Sequence, residues 1–570
     1  MRAKTVFTWC RRPLFALALF SAWSLALACS QSSTRSLERF SAGVQPAAGA
    51  RSFTILAIND VYRIAGLDDG GGLARLRTLR RQLEREHPDL LMLHAGDFLS
   101  PSLLSRRYYG AQMIDVMNLL DGDAYGFDPR LIVTFGNHEF DRGRAENAEQ
   151  LDLRIAQSDF RWLTSNIVFG KSGDGEPLIA GDNLVRSLLI ESGGVRVGLF
   201  GLTIDSQNAA FIDHFADPVE VAREATTALR NQGAEVVVAL THLRESDDVQ
   251  ILETLGDQGP DLIIGGHEHE RLSRTVAGRM VIKADADAKT ASVVTVTPKA
   301  SGAPEVHFRY VHLDQRFEPD PRVAKRVKQW LDWFDEAFCT HLDPPEPLGC
   351  IDITLGRAGV KLVAEELQIR RFETNLGDWI ADQALAAFAD RGAQIALLNA
   401  GSMRLNQDIP AGTSITRRQL EALLPFSAKL ELLRIRGSVL QEAIEHAILN
   451  WTGNGHWPQI AGFAFRHDPA TGTADRLTLL GADGPRPVDP DEEILLVTSE
   501  FLADASRGQD GYTMFEERFK IETDGVVDLK QKVGEALGAA GAAGIKPQRA
   551  GRICTVGYAG HDDPCLAVAR

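Results

Sequence analysis

Between about residue 52 and residue 315, two kinds of apolar pattern alternate along the chain. Short apolar runs, "TILAIND", "DLLMLHAGD", "RLIVTFGNHE", "VRVGLFGLTID", "EVVVALTHL" and "DLIIGGHEH", read as strands. Between them lie charged stretches, among which "GLARLRTLRRQLEREH" and "DPVEVAREATTALRNQG" repeat apolar residues at helical spacing. The alternation predicts an α/β unit. A later stretch, "ASVVTVTPKASGAPEVHFRYVHLD", reads as antiparallel strands closing it.

Residues 319–338, "PDPRVAKRVKQWLDWFDEAF", predict an amphipathic helix, and the proline-rich loop "CTHLDPPEPLGC" follows. The reading is a first domain over 51–318, a connecting helix and loop over 319–350, and a second α/β domain over 351–570. The Ala/Gly-rich "GEALGAAGAAG" near 534–544 reads as a helix end or loop, and no internal repeat is seen. Two large domains also suit a chain of 570 residues. With 44% hydrophobic and 24% charged residues the composition is globular. A net charge of -16 argues against nucleic acid as a partner. It also means that an anionic substrate needs local cations, metals or arginines.

The start of the chain reads as a leader rather than as fold. Arg2, Lys4, Arg11 and Arg12 precede the apolar "PLFALALFSAWSLALA", which ends in Ala26-Leu27-Ala28. That run is short for a membrane span and ends in small residues, as a cleaved signal peptide over 1–28 would. Cleavage there leaves Cys29 first, as in a bacterial lipoprotein, ahead of a polar tether over 29–50. Plain secretion and a transmembrane anchor are the alternatives. Either exported form points to the periplasm or the outer membrane, with a lipid on Cys29 as the sole membrane contact, and no protein partner is indicated. Of the remaining cysteines, proximity favours Cys339–Cys350 and Cys554–Cys565 among three pairings. One bond plus two free thiols is the other reading, which an oxidising compartment disfavours.

Five apolar runs in the first domain end in a metal-ligating residue. They supply Asp60, Asp97, Asn137 with His138, His242, and His267 with His269. Ligand sites in α/β sheets lie at the carboxyl ends of strands, so these residues can meet in one crevice. Two residues apart, His267 and His269 share one side if their segment is extended. Oxygen and imidazole ligands suit Mn²⁺, Zn²⁺ or Fe, with Mg²⁺ as a further candidate. A single Gly-Asp is usually a turn and a single histidine usually structural; it is the ordered set of five that carries the metal reading.

The motifs "ILAINDV", "HAGDFLSPS", "FGNHEFD", "THL" and "GGHEHE" resemble the calcineurin-like metallophosphoesterases, in their bifunctional 5′-nucleotidase branch. In the second half, "RRFETNLGDWIADQAL", "LLNAGSMR", "LLPFSAKLELLRIRG", "PQIAGFAF" and "DGYTMF" resemble the 5′-nucleotidase C-terminal domain. The resemblance implies a β-sandwich flanked by helices, joined to an α/β substrate domain that rotates on the 319–350 hinge. It implies two divalent metal ions, with Asp97 bridging, Asp60 and His269 on one, and Asn137, His242 and His267 on the other. Such a pair lowers the pKa of a shared water and clamps the attacking and leaving oxygens. His138 would then be catalytic, at the phosphoryl or leaving-group oxygen, with Asp141 orienting its ring.

Where the family usually has Asp-x-His, this chain has Asp60-Val61-Tyr62. An extended segment would turn Tyr62 towards the same ion. A neutral phenol is a poor ligand, with a pKa of about 10. The expectation is a working site with that ion bound more weakly or with altered metal preference.

In the second domain the resemblance gives Asn399 and Arg404 to the substrate, and Arg370 or Arg371 to its phosphate. Surface charge is the better reading for Arg371. Phe426 and Phe501 would stack on either face of a nucleobase, or simply serve as core, and Asp510 would reach the ribose. Two departures bear on this pocket: "PFSA" replaces a glycine-bearing turn, and the loop "LADASRGQDGY" is long. The implied activity is hydrolysis of nucleoside 5′-monophosphates or other nucleotides. Alternatives are 2′,3′-cyclic nucleotides, nucleotide sugars or sulfur esters, or a ligand-binding surface lipoprotein on a vestigial site.

Overall fold

The protein is described by a computed structural model over residues 51–567, apart from 124–125, 144–146, 206–208, 427, 450, 452–454, 505–508 and 562–564. The leader, the tether and Cys29 therefore lie outside the described residues, as does part of the 502–512 loop.

Among the described residues, the first half of the chain forms a seven-stranded and a six-stranded sheet. The seven-stranded sheet is centred on β1 (Phe53–Ile58), β2 (Leu91–His94) and β3 (Leu131–Thr134), which run parallel. Strands Thr290–Thr297 and Glu305–His312 add antiparallel to the β1 edge, where closing strands are expected. In the six-stranded sheet, Val195–Thr203, Val236–His242 and Leu262–Gly265 run parallel side by side.

Side chains alternate along each strand, which explains why the runs are apolar throughout. From β1, Phe53, Ile55 and Ala57 face the six-stranded sheet and meet Val197, Val238 and Ile264 there. Leu56 and Ile58 point the other way, onto α1 (Leu73–Glu86) and the helix Pro321–Thr340. The outer face of the second sheet, with Phe200, Val237 and Ile263, is covered by the helices Pro218–Asn231 and Glu245–Leu255. The first domain is a β-sandwich with helices on both outer faces.

The connecting helix, Pro321–Thr340, starts with Asp320 accepting the amides of Arg322 and Val323, which caps its open donors. Its Val323, Val327 and Phe334 are buried in the first domain's core together with Ile351. By Ala358 the chain is in a different core. There, Ile395–Asn399 pairs with Pro458–Ala461 and Glu493–Ser499 in a six-stranded sheet. The helices Asn375–Ala386 and Gly437–Ala447 pack with separate apolar clusters of this domain. Disulfides join Cys339 to Cys350 and Cys554 to Cys565, the pairing that proximity favours.

Candidate active site

Strand register brings the candidate ligands level. Ile58 lies opposite His94, and His94 opposite Val133, so Asp60, Asp97 and Asn137 leave their sheet at the same height. Thr241 lies opposite Gly265, which does the same for His242 and His267.

Beyond the strands the backbone does not stay extended. Asp60, Asp97, His267 and His269 have φ of 53°, 60°, 90° and 63°, in the left-handed region that non-glycine residues seldom adopt. Such conformations cost on the order of 1–3 kcal/mol each and persist only where the surroundings enforce them. The extended-segment geometry expected for Asp60/Tyr62 and for His267/His269 is thus corrected: tight turns, not shared strand faces, aim these side chains. Close packing fixes the motif glycines as well. A Cβ on Gly136 would lie 2.1 Å from Asp97 Oδ1, and one on Gly96 would lie 2.6 Å from the amide nitrogen of Gly136.

The turns converge on a buried group. Asp60, Asp97 and His269 offer ligand atoms within 4.8 Å of one another. His269 Nε2 is 3.1 Å from Asp60 Oδ1, and His242 Nε2 is 3.2 Å from Asp97 Oδ2. The Tyr62 hydroxyl sits 2.8 Å from His269 Nε2, 3.1 Å from Asp97 Oδ2 and 3.3 Å from Asp60 Oδ1. Tyr62 therefore reaches the place the aspartates share. His267 lies beside His242, ring centroids 5.3 Å apart, and its amide donates to Asp60 Oδ2 at 2.9 Å.

Charge is concentrated here. Burial resists ionisation of Asp60, yet His269 and His242 hold it well below the usual carboxylate range. His242 is opposed by burial but raised to about 10 by Asp97 and Asp60. Burial, then Asp97 and Asp60, push the Tyr62 phenol well above its usual value, so it is a neutral hydroxyl among these groups. Burial and His242 keep His267 neutral, the form that ligates.

The residues suit divalent cations. Asn137 Oδ1 is buried without a hydrogen-bond partner, and such groups are normally satisfied. Two carboxylates forced together with imidazoles and no thiolate make an oxygen-and-nitrogen donor set for a hard or borderline cation.

His138 donates its amide to Asp97 Oδ1 at 2.8 Å. Its Nδ1 lies 2.8 Å from Asp141 Oδ1, which assigns the ring proton there and leaves Nε2 facing the crevice. Arg404 of the second domain brings Nη2 to 3.2 Å from that Nε2.

Several residues of the site were not singled out by sequence reasoning. Glu139, inside "GNHEFD", accepts the amides of Gly136, Asp97, Phe98 and Leu99 and ties two ligand turns together. Burial and nearby Asp97 raise it to about 7. Its position beside Asn137 and His138 was the available signal. Asn59 donates to Asp60 Oδ2 at 2.8 Å. Lys283, buried, reaches Asp248 and Glu268 at 2.8 and 2.7 Å and so anchors the His267–His269 turn. Glu366, from the second domain, accepts from His269 Nδ1 at 3.0 Å, and only its helical spacing from Arg370 hinted at a role.

The expected substrate residues are differently disposed. Arg370 is buried and pairs with Glu366 at 2.6 Å, while Arg371 pairs with Glu270 of the first domain. Asn399 donates to Asp510 Oδ2 at 3.2 Å and keeps its own Oδ1 without a partner. Phe426 is half-buried, its ring centroid 5.9 Å from the Arg404 guanidinium. Phe501 packs against the domain's second apolar cluster.

Comparison with known proteins adds to this. Residues 53–271 match the model for calcineurin-like phosphoesterases, and residues 355–517 that for the 5′-nucleotidase C-terminal domain. Over 539 residues the chain is 26% identical to human 5′-nucleotidase, covering 85% of this chain and 88% of that protein. It is 25% identical over 528 residues to the trifunctional nucleotide phosphoesterase protein YfkN of Bacillus subtilis (strain 168). That match covers 85% of this chain but only 34% of the Bacillus protein's length. The crystal structure of a 5′-nucleotidase precursor from Thermus thermophilus superposes with a TM-score of 0.72 at 23% identity, covering 89% of this chain and all of the other.

Proposed function

Because this chain belongs to the calcineurin-like phosphoesterases that carry a 5′-nucleotidase C-terminal domain, we propose that it hydrolyses nucleoside 5′-monophosphates and related nucleotides to nucleoside and phosphate. The observation that carries this reading is Arg404 of the second domain meeting His138 beside the buried Asp60–Asp97–His269 group.

Two divalent ions would be held here, one by Asp60, Asp97, His269 and the Tyr62 hydroxyl, the other by Asp97, Asn137, His242 and His267. Bound there, they would supply the Lewis-acid charge that phosphoryl transfer needs. The chain's own residues do the rest. Asp141 fixes the His138 ring so that Nε2 meets the phosphoryl or leaving-group oxygen. Arg404, a planar fork already beside that nitrogen, meets the phosphate. Glu139 holds the Asp97 and Asn137 turns in place through four amides. Phe426 and Phe501 hold the base, with Asn399 and Asp510 at the ribose.

Export accounts for the two disulfides, which persist in oxidising compartments. A lipid on Cys29 would keep the protein in the cell envelope, and Cys29→Ser should then release it from the membrane fraction.

Phosphate release from AMP, a 2′,3′-cyclic nucleotide, a nucleotide sugar and a sulfur ester, assayed with Mn²⁺ or Zn²⁺, tests the reading. Preference for AMP supports it, and no turnover of any of them refutes it in favour of a binding protein.

A further inference from the structure

We propose that Glu366 is a positioning residue through which the second domain orients His269 for cation binding and holds Arg370 and Arg404 beside the site. The inference rests on the reading that Asp60, Asp97 and His269 hold a cation.

Glu366 opens the short helix Glu366–Ile369 and is 2% exposed. Its Oε2 lies 3.0 Å from His269 Nδ1; its Oε1 lies 2.6 Å from Arg370 Nη2 and 3.1 Å from Arg404 Nη1. Both carboxylate oxygens are therefore committed. On the far side of the same imidazole, Nε2 faces Asp60 Oδ1 at 3.1 Å and the Tyr62 hydroxyl at 2.8 Å. A carboxylate on Nδ1 holds a proton there, so Nε2, which faces the aspartates, would be the nitrogen that gives up its proton to a cation. That leaves the tautomer a cation requires, and a carboxylate behind a ligating histidine also makes it a stronger donor.

Charge adds to orientation. Arg370 is buried and Arg404 partly so, and Glu366, which contacts His269, is the anion between them. Without it, two guanidiniums would face a site meant for a divalent cation, and both would lose the carboxylate they share. Because Glu366 belongs to the second domain and His269 to the first, cation affinity at the Asp60 position becomes dependent on how the second domain is docked.

Calorimetric titration of metal-stripped protein with Mn²⁺, comparing wild type, Glu366→Gln and Glu366→Ala, tests this. Melting of each metal-stripped protein is recorded alongside. The expected result is two sites in the wild type, one of which weakens about 10- to 100-fold in the variants while the other changes little. Glu366→Gln keeps the side chain's size and one acceptor, so it carries the test if Glu366→Ala does not fold. Unchanged affinities overturn the proposal. So does equal weakening of both sites with a lowered melting temperature, which would mark Glu366 as a structural support. If wild-type protein takes up no Mn²⁺, the cation reading itself falls, and this inference with it.

Discussion

The two walls of the crevice are built differently. On the first domain, functional side chains are braced by backbone: Asp97 accepts the His138 amide, Asp60 accepts the His267 amide, and Asp287 accepts the amides of Tyr62 and Arg63. On the second domain they are braced mainly by one another, as in Arg370–Glu366–Arg404 and Asn399–Asp510. Backbone bracing fixes position at the cost of strained turns, which suits groups that must meet a reacting centre within a fraction of an ångström. Side-chain pairs can be exchanged for a ligand's polar groups, which suits recognition. The first wall should therefore govern kcat and the second KM.

The largest effect should come from His138→Ala. Losing a positioned acid–base group costs roughly 10²- to 10⁴-fold in kcat. Steady-state kinetics on AMP checks this, and a variant within a fewfold of wild type would remove His138 from the chemistry. Phe426→Ala sharpens the contrast from the other side. Base–aromatic stacking is worth about 1–3 kcal/mol, so KM should rise roughly 5- to 150-fold with kcat little changed. A fall in kcat alone would break the division between the walls.

Tyr62→Phe should do less. One hydroxyl hydrogen bond contributes about 0.5–1.5 kcal/mol, so activity should fall only about 2- to 12-fold. Mn²⁺ and Zn²⁺ titrations of activity in this variant should shift relative to one another, because the hydroxyl touches the Asp60 side of the site. Loss of all activity would make Tyr62 indispensable.

The smallest effect lies away from the crevice, in the second domain. Burial and the neighbouring Glu373 carboxylate push Asp378 well above the usual carboxylate range. A carboxyl whose pKa rises on folding binds its proton more tightly in the native state. The stability it adds is complete below the ordinary aspartate value and is lost as pH rises through the folded value. Melting temperature should accordingly fall with rising pH from mildly acidic conditions upward, and Asp378→Asn should flatten that slope. An unaltered slope would show that the proton is not shared there.

The first wall was readable because its chemistry is local. Each ligand follows an apolar run, so strand ends and ligands are found together, and Asp60, Asp97, Asn137, His242 and His267 could be picked out in order. What the sequence did not show was the conformation that aims them: alternation suggested extended segments, whereas positive φ at Asp60, Asp97, His267 and His269 depends on packing from elsewhere. Glu366 illustrates the second limit. Its partner His269 lies 97 residues away, and no local pattern announces a contact across two domains. Arg370 was found as a cation, but its pairing with Glu366 belongs to the same long-range contact. The α/β alternation of the first domain, by contrast, was legible from its runs, whereas its sandwich came only from the family resemblance; β1 is apolar on both faces and needs a layer on each.

The central claim is that the buried Asp60–Asp97–His269 group and its neighbours hold metal for phosphate release. It is tested most directly by adding Mn²⁺ stepwise to metal-stripped protein while measuring bound metal and phosphate released from AMP on one sample. The account predicts that hydrolysis is absent at first, rises with bound metal and levels off at two ions per chain. Full hydrolysis by metal-free protein, or two bound ions with no hydrolysis, would contradict it.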